Sequence, residues 1–257
     1  WAALSGGVAA DSGESVNHRS ALCLAPVFQA VSIISGDAAG VRMALHKQLA
    51  NGDNVVAVGD ARQFAVHRRA NIETSANEFW RRLVAHACLW QNGYAWIRRV
   101  EGRPGLVELY NLLPDRTKLE RREDGNLVYW TEVGGELWPL HYRDVFHLKG
   151  LSIDTPLGFD LICAARNAIG LALAAEKFSS RFFKHGAHAG GILEIPAAMT
   201  ERAADQLEQG FRSRLGSDQW FRTVVLRDGA KFHQTTVDAE RSQLHQLRED
   251  QVRDVAR

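Results

Sequence analysis

The chain reads Gly150-Leu151-Ser152-Ile153-Asp154-Thr155-Pro156-Leu157-Gly158, then passes through Ala175-Glu176-Lys177-Phe178 to Phe182-Phe183-Lys184-His185-Gly186. Gly190-Gly191-Ile192-Leu193-Glu194-Ile195-Pro196 follows directly. This order predicts a glycine-bounded turn, a long alanine-rich helix over residues 160–184, a glycine stop and an apolar strand. The stretch holds no cluster of catalytic side chains. It therefore indicates a part of an assembly before it indicates an enzyme.

A small β-α-β-β module is predicted after the long helix. It has a strand at 191–195, a helix at 200–215 and strands near 223–226 and 231–235, and a last helix begins at about residue 238. The last helix is polar on most faces, so it needs partners or solvent around it. Small residues on several faces of the long helix allow close approach of other helices. Helices of this kind fit a bundle or ring of several copies.

Two helices and a set of strands are predicted before the long helix. Apolar residues spaced by three and four predict helices at 21–37 and 74–90, the second capped by Asn71 or Thr74. Short strands are predicted at 41–47, 106–113, 117–121, 127–133, 137–140 and 145–148. Asp124-Gly125 and Gly134-Gly135 are hairpin signals. An antiparallel meander packed on helices places the chain in the α+β class.

The aromatic residues of these strands are predicted to pack in the core or an interface rather than to stack on bases. They are Tyr110, Tyr129, Trp130, Trp138 and Tyr142. The three cysteines, Cys23, Cys88 and Cys163, are odd in number and lie in apolar helical patterns. They are predicted to be reduced thiols of the core.

Composition restricts the possible partners. The 257 residues carry a formal net charge of +1, so the whole molecule is not drawn to nucleic acid. The sequence contains no apolar run long enough for a bilayer and no opening like a signal peptide, which predicts a soluble, non-secreted protein. Residues 1–15 are rich in Gly, Ala and Ser and are predicted to form a flexible arm. A start at Trp1 and an end inside a helical pattern at Arg257 lead us to expect a fragment.

A search for chemistry is mostly negative. The sequence lacks the glycine-rich phosphate loops, the H-E-x-x-H and C-x-x-C metal or redox patterns, and the G-x-S-x-G nucleophile turn. His185 and His188 have no nearby acidic or cysteine partner, so no metal site is predicted. His141, Asp144 and His147 flank one strand and are the basis of an enzyme alternative, but no activated serine or cysteine accompanies them.

One basic stripe has two interpretations. Lys177, Arg181, Lys184 and His185 lie roughly on one face near the end of the long helix. They could meet phosphates in a DNA channel or contact a neighbouring subunit. The interpretation we favour is that they complement the helix dipole and pair with acids on a neighbouring helix. The structural glycines singled out with them are Gly93, Gly158, Gly186 and Gly191.

In order along the chain, several motifs resemble the portal proteins of long-tailed double-stranded-DNA bacteriophages, the siphovirus-type portal family. The motifs are Val27-Phe28-Gln29-Ala30-Val31-Ser32-Ile33-Ile34, Phe79-Trp80-Arg81-Arg82-Leu83-Val84, Asn92-Gly93-Tyr94-Ala95-Trp96-Ile97, Leu109-Tyr110-Asn111-Leu112-Leu113-Pro114, Asp144-Val145-Phe146-His147-Leu148-Lys149-Gly150 and the opening run. Each motif is loose, but their order and spacing are specific, and the resemblance covers nearly everything after Val16.

The resemblance implies a ring oligomer, a dodecamer in the virion, at one vertex of the capsid. Double-stranded DNA would pass through its channel during packaging and ejection. The implied partners are further copies of the chain, the large terminase subunit, and head-tail connector and capsid proteins. The resemblance implies that the protein has no cofactor, does not associate with a membrane and is not an enzyme. The protein would belong to a phage or prophage, in the virion and, during assembly, in the host cytoplasm.

The resemblance also implies a division of the chain. Residues 16–158 would be a wing domain, 159–189 a stem helix, 190–236 a clip domain and 237–257 a second stem helix. The crown and tunnel loop expected next are absent from this sequence. The alternatives are a monomeric nucleic-acid-binding module, which requires a continuous basic face, and a hydrolase.

Overall fold

The structure is a computed structural model that describes residues 7–103, 105–153, 156–184, 191–194 and 231–234, and positions 205, 246, 249, 250 and 253. The helices are α1 (His18–Ala21), α2 (Ala25–Gly40), α3 (Ala61–His67), α4 (Ala76–Trp90), α5 (Leu161–Ala164) and α6 (Arg166–Lys184). The strands are β1 (Val8–Ala9), β2 (Ser15–Val16), β3 (His46–Gln48), β4 (Asn54–Val56), β5 (Asn92–Arg99), β6 (Val107–Leu112), β7 (Thr117–Arg121), β8 (Leu127–Val133), β9 (Glu136–His141), β10 (Val145–Lys149), β11 (Gly191–Glu194) and β12 (Lys231–Gln234). This mixture of helices and antiparallel strands confirms the predicted α+β class.

The chain divides into two compact units. The first contains Trp1–Gly170 with Val255–Arg257, and the second contains Leu171–Asp254. Within the described residues, no helix is both long and apolar enough to cross a bilayer.

Helix α4 is the central helix of the first unit. The Ser75 hydroxyl accepts the N–H of Glu78 at 3.2 Å, and the Glu78 carboxylate accepts the N–H of Ser75 at 3.1 Å. This capping box satisfies backbone donors that the first helical turn leaves open. The predicted caps Asn71 and Thr74 were wrong, because the Asn71 side chain instead accepts the N–H groups of Glu73 and Thr74 in the preceding turn.

Helix α2 packs along α4. Its buried residues are Val27, Ser35 and Ala39, and the Asn77 side chain donates a 2.8 Å hydrogen bond to the carbonyl of Ala39. The end of α2 therefore lies beside the start of α4. The prediction of one helix at 21–37 was approximate, because the short α1 ends at Ala21 and α2 begins only at Ala25.

Strands β5 to β10 of the first unit form two three-stranded sheets, in the orders β10-β5-β6 and β7-β8-β9. β7 and β8 have the predicted bounds. The single meander was wrong, because a short turn at Tyr142–Asp144 sends β10 back to β5, with Val145 opposite Trp96 and Lys149 opposite Asn92. The first sheet thus lies in the middle of the unit.

Alternation along β5 gives the first sheet two buried faces. Ala95 points to a core with Phe79 and Leu83 of α4. Tyr94 points the other way, to a core with Tyr129 and Leu140 of the second sheet. The layers are therefore helices, first sheet and second sheet, and β5 contributes to both cores.

Some residues that were predicted to lie in the core or in an interface are exposed in the single chain. Trp138 is 45% exposed and Tyr142 39% exposed, since β9 is an edge strand that buries only Leu140. Cys23 is exposed, while Cys88 and Cys163 are half-buried. None of these three cysteines forms a disulfide. The strand predicted at 41–47 is limited to β3, which pairs with β4 in a hairpin whose six strand residues are all exposed.

The second half of the predicted flexible arm is an ordered hairpin. β1 pairs with β2, and both Ala10 and Val16 are buried. The hairpin lies on the first turn of α6, where Asn167 exchanges hydrogen bonds with Asp11, and a Cβ at Gly170 would collide with Ala10. The small residues predicted a flexible arm, but in the structure they allow the hairpin to pack closely on α6.

The predicted long helix is interrupted near its start. α5 ends at Ala164, Ala165 leaves helical geometry, and α6 then continues for 19 residues. In the second unit, β11 and β12 pair antiparallel, which confirms both of these predicted strands. Apart from position 205, the predicted helix at 200–215 lies outside the described residues, as do the strand at 223–226 and most of the last helix.

Replacing Ser75 by Ala should lower the free energy of unfolding by about 1 kcal/mol, because the helix loses its side-chain cap. Urea denaturation measures this change. The control is Ser180→Ala, at an exposed position inside α6, which should leave stability nearly unchanged. Equal effects at both positions would contradict the role of the cap.

Candidate functional site at the base of the long helix

The chain turns sharply between α4 and β5, and the turn centres on Gln91. Its φ is 56°, which makes it the one residue other than glycine with a positive φ in the described part of the chain. Glycine or asparagine usually takes this left-handed position at a helix end. Gln91 is also 93% buried, at a relative exposure of 7%. Its surroundings must therefore hold an unfavourable backbone conformation in place.

The hydrogen bonds of Gln91 hold the chain as it leaves β10. Its carbonyl oxygen accepts the N–H of Gly150 at 2.8 Å. Its side-chain Oε1 accepts the N–H of Leu151, also at 2.8 Å, and Nε2 donates to the carbonyl of Cys88 at 3.2 Å. One buried side chain therefore ties the end of α4 to a segment 60 residues later.

Asn92 holds the other end of that segment. Its Oδ1 accepts the N–H of Gly158 at 2.8 Å and lies 3.0 Å from Nε2 of His147, while Nδ2 donates to the carbonyl of Trp90 at 2.9 Å. An amide oxygen can only accept, so Nε2 of His147 carries the hydrogen. Nδ1 of His147 then accepts the hydroxyl hydrogen of Tyr129 at 3.1 Å.

Three glycines allow these close contacts. A Cβ at Gly150 or Gly158 would collide with Gln91, at its side-chain oxygen and its carbonyl oxygen respectively. A Cβ at Gly93 would lie 2.6 Å from the carbonyl oxygen of Leu83, so β5 can approach α4 only with glycine there. We call Gln91, Asn92, His147, Gly150 and Gly158 the helix-base clamp.

A second contact lies at the start of α5. Asp160 Oδ1 caps this short helix by accepting the N–H of Cys163 at 3.0 Å, and it lies 3.2 Å from Nε2 of His18. The His18 ring stacks on Trp90, with centroids 5.0 Å apart. Burial alone would raise the pKa of Asp160, but hydrogen bonds from His18 and Cys163 lower it. The segments before α2 and before α6 thus meet at the end of α4.

Two histidines of this region are held neutral. Burial, with a smaller effect from the charge of Lys149, lowers the pKa of His147 to about 4. Burial likewise lowers the pKa of His86 to about 4, helped by nearby Arg82 and opposed by Asp115. Nδ1 of His86 is buried and finds no hydrogen-bond partner among the described residues.

The predicted basic stripe is partly described. Lys177 and Arg181 are exposed on α6, and the backbone of Lys184 continues the same helical face. His185 and Gly186 lie outside the described residues, and Gly191 lies in β11 opposite Gln234. A role of the stripe toward DNA or a neighbouring subunit stays a prediction. Gly93 and Gly158, in contrast, both make close contacts in the first unit, Gly93 with Leu83 and Gly158 with Gln91.

The residues of the enzyme alternative do not converge. Asp144 pairs with Arg99, His147 is bonded inside the clamp, and His141 accepts the N–H of Arg143. A surface groove of about 480 Å³ beside residues 96–101 is lined by Asp144 but by neither histidine. Among the described residues, no group of three or more His, Cys, Asp or Glu is placed to hold a metal ion.

Sequence reasoning missed Gln91, Asn92 and His147 as members of one site. The Gln91-Asn92-Gly93 sequence indicated only the exit from a helix, and His147 was considered for catalysis. The available signal was the repeated use of glycine at positions 93, 150 and 158, since each marks a place where backbones approach closely.

Replacing Gly158 by Ala should destabilise the first unit by on the order of 2 kcal/mol, because the new Cβ overlaps the Gln91 carbonyl. Urea denaturation of the two proteins gives this difference. The matched control is Gly36→Ala in α2, where nothing lies within 4 Å of the added Cβ. The control should gain up to about 1 kcal/mol from helix propensity, and a similar gain at Gly158 would refute the close contact.

Acid should destabilise the protein between about pH 6.5 and pH 4. A histidine whose folded pKa is lowered binds its proton mainly in the unfolded state in this window, so stability falls as pH falls. For His86, the 6.5 to about 4 shift corresponds to roughly 2 kcal/mol lost between pH 7 and pH 5. His86→Phe should remove that share of the acid sensitivity in urea denaturation at the two pH values. The same substitution at exposed His67 should retain it, and an unchanged slope in His86→Phe would contradict burial of a neutral ring.

Comparison with known proteins identifies the family. The family model described as phage portal protein matches residues 25–257. The chain is 37% identical over 117 residues to the probable portal protein of Streptomyces phage phiC31, covering 45% of this chain and 26% of that protein. It is 26% identical over 248 residues to the portal protein of Enterobacteria phage HK97, covering 95% and 57%.

A solved structure shares the fold. A chain from the neck of an empty gene transfer agent particle, computed with C6 symmetry, aligns with a TM-score of 0.63 at 20% identity and covers 93% of this chain and 66% of that one. The chain spans 26% of the length of the phiC31 protein and 57% of that of the HK97 protein. Because the family model matches almost the whole chain, the chain belongs to the phage portal protein family.

Proposed function

We propose that this protein forms a ring at one vertex of a phage capsid, through which double-stranded DNA is packaged and ejected. The observation that carries the proposal is the family match over residues 25–257. The ring docks the large terminase subunit and later the head-tail connector proteins, and performs no bond chemistry itself. Its place is the virion, after assembly in the host cytoplasm.

The parts of the chain have separate roles in this proposal. Residues 16–158 are the wing, 159–189 and 237–257 the two stem helices, and 190–236 the clip. The clamp supports the first of these boundaries, because it holds the chain at Gly150 and Gly158 just before the helical segment begins. The β11–β12 pair supports a small β module in the clip.

The charge of the protein fits a conduit better than a DNA-binding surface. A net charge of +1 gives little general attraction to phosphates. DNA that must slide through a channel would be held back by tight binding. We assign Lys177, Arg181 and Lys184 to the channel or to a contact between subunits. In the channel, a few positive charges would guide the DNA without binding it tightly.

Purified protein should assemble into rings, with twelve subunits expected in the assembled head. Native mass spectrometry and negative-stain electron microscopy of the full natural chain measure the subunit number and the ring shape. A protein that stays monomeric at all concentrations tested would contradict the proposal. The nucleic-acid module instead predicts monomers that bind a short DNA duplex with steep salt dependence.

A further inference from the structure

The long helix is interrupted where its own sequence favours continuity. The break lies within the run Leu161-Ile162-Cys163-Ala164-Ala165-Arg166-Asn167-Ala168-Ile169, which holds neither proline nor glycine. Leu, Ala and Arg, which make up most of this run, are among the strongest helix formers. Sharp breaks in helices usually arise at proline or glycine, or where another group disturbs the backbone hydrogen bonds. The sequence therefore indicates that contacts from another part of the chain hold the break.

The break removes three backbone hydrogen bonds that a continuous helix would have. Ala165, at φ −87° and ψ 11°, donates to the carbonyl of Leu161 at 2.8 Å and ends α5. Ile169 donates to the carbonyl of Ala165 at 3.1 Å and begins the hydrogen bonds of α6. In this described part of the chain, three consecutive N–H groups form no bond to the carbonyl four residues earlier, namely those of Arg166, Asn167 and Ala168. A continuous helix would supply these acceptors.

The β1–β2 hairpin and the residue that begins α1 contact the helix on both sides of this break. We call residues 10–18 the strap. After the break, Asn167 Oδ1 accepts the N–H of Asp11 at 3.3 Å, and Asn167 Nδ2 donates to the Asp11 carboxylate at 2.8 Å. A Cβ at Gly170 would collide with Ala10, so the strap lies directly on this part of α6. The strap is therefore fastened to α6 by hydrogen bonds and by close packing.

The strap also contacts the helix before the break. Nε2 of His18 lies 3.2 Å from Oδ1 of Asp160, the residue that caps α5. The His18 ring is stacked on Trp90 at the end of α4, with ring centroids 5.0 Å apart. The strap is thus anchored on α4 and contacts the cap of α5 and the start of α6 at the same time. Contacts on either side of the break keep α5 and α6 from aligning into one helix.

We propose that the strap holds the long helix in its broken form, and that release of the strap lets α5 and α6 join into one continuous helix. The continuous form would gain three backbone hydrogen bonds. The strapped form keeps the hydrogen bonds between Asp11 and Asn167 and the burial of Ala10 and Val16. Each hydrogen bond contributes modestly to stability, so these opposing gains are of similar size. An element with two such alternative sets of contacts is a conformational switch.

The switch has a consequence for any partner that binds the hairpin. A partner that binds β1–β2 only when the strap is released would favour the continuous helix. Straightening of the helix would favour that binding in turn, because coupling between two sites is reciprocal. All residues involved belong to the first unit, so the switch would exist in a single chain as well as in the proposed ring.

Gly170→Ala in the full natural chain tests the switch. The added methyl group collides with the strap, while alanine is a better helix former than glycine. Hydrogen-exchange mass spectrometry resolved to single amides should show two opposite changes. The amides of Ala10 and Gly13, which bond within the strap, should exchange faster. The amides of Arg166 and Ala168 should exchange about tenfold more slowly, because they gain helical acceptors.

Asn167→Ala releases the strap in a second way, since it removes both hydrogen bonds with Asp11. It should give the same two changes. Swapping the partners, with Asp11→Asn and Asn167→Asp in one protein, keeps a carboxylate opposite an amide and should restore the exchange rates of the parent. The matched control is Ser180→Ala, at an exposed position farther along α6. It raises helix propensity and should change neither set of amides.

Each other outcome contradicts the switch. Faster exchange in the strap with unchanged amides at Arg166 and Ala168 would overturn the proposal, because the break would then persist without the strap. Unchanged exchange of both sets in both variants would also overturn it. So would faster exchange throughout β5, since the strap would then support the whole unit. Slower exchange at the break together with faster exchange in the strap, reversed in the swapped pair, supports a helix that the strap holds broken.

Discussion

The left-handed backbone at Gln91 is the constraint on which the arrangement of the first unit depends. That conformation turns α4 directly into β5, the strand that faces both cores. It also points the carbonyl and side chain of Gln91 at Gly150 and Leu151, where β10 ends. A residue in this conformation is unfavourable alone, and the buried hydrogen bonds of its neighbours offset the cost. Gln91 therefore holds three parts of the first unit together, namely β5, the end of β10 and the base of the long helix.

Local signals were enough to predict the elements whose boundaries are written into adjacent residues. The hairpin glycines at 125 and 134–135 separate β7, β8 and β9, and the bounds of β7 and β8 were predicted as the structure has them. The helical spacing of apolar residues likewise predicted α4 and the long helix, because this signal also lies in residues that are close together in the sequence. The order of strands was beyond these signals, because the pairing of β10 with β5 joins residues about 50 positions apart.

The candidate site was harder to predict than the elements around it. Glycine at position 158 was singled out, but its partner Gln91 is an ordinary glutamine whose role depends on a backbone angle and on a distant N–H group. The hairpin before α1 was missed for a related reason. Its small residues are buried only because Gly170 lies against them. That contact cannot be predicted from composition alone. The structural roles of side-chain amides and of small residues depend on tertiary contacts.

Amide hydrogen exchange at Gly150, Leu151 and Gly158 tests the central claim, that a buried clamp fixes the base of the long helix, most directly. All three N–H groups donate to Gln91 or Asn92, so they should exchange as slowly as the amides of β5, through opening of the whole unit. Exchange as fast as that of the exposed β3–β4 hairpin would contradict the clamp, since it would mean that this segment opens while the rest of the unit stays folded.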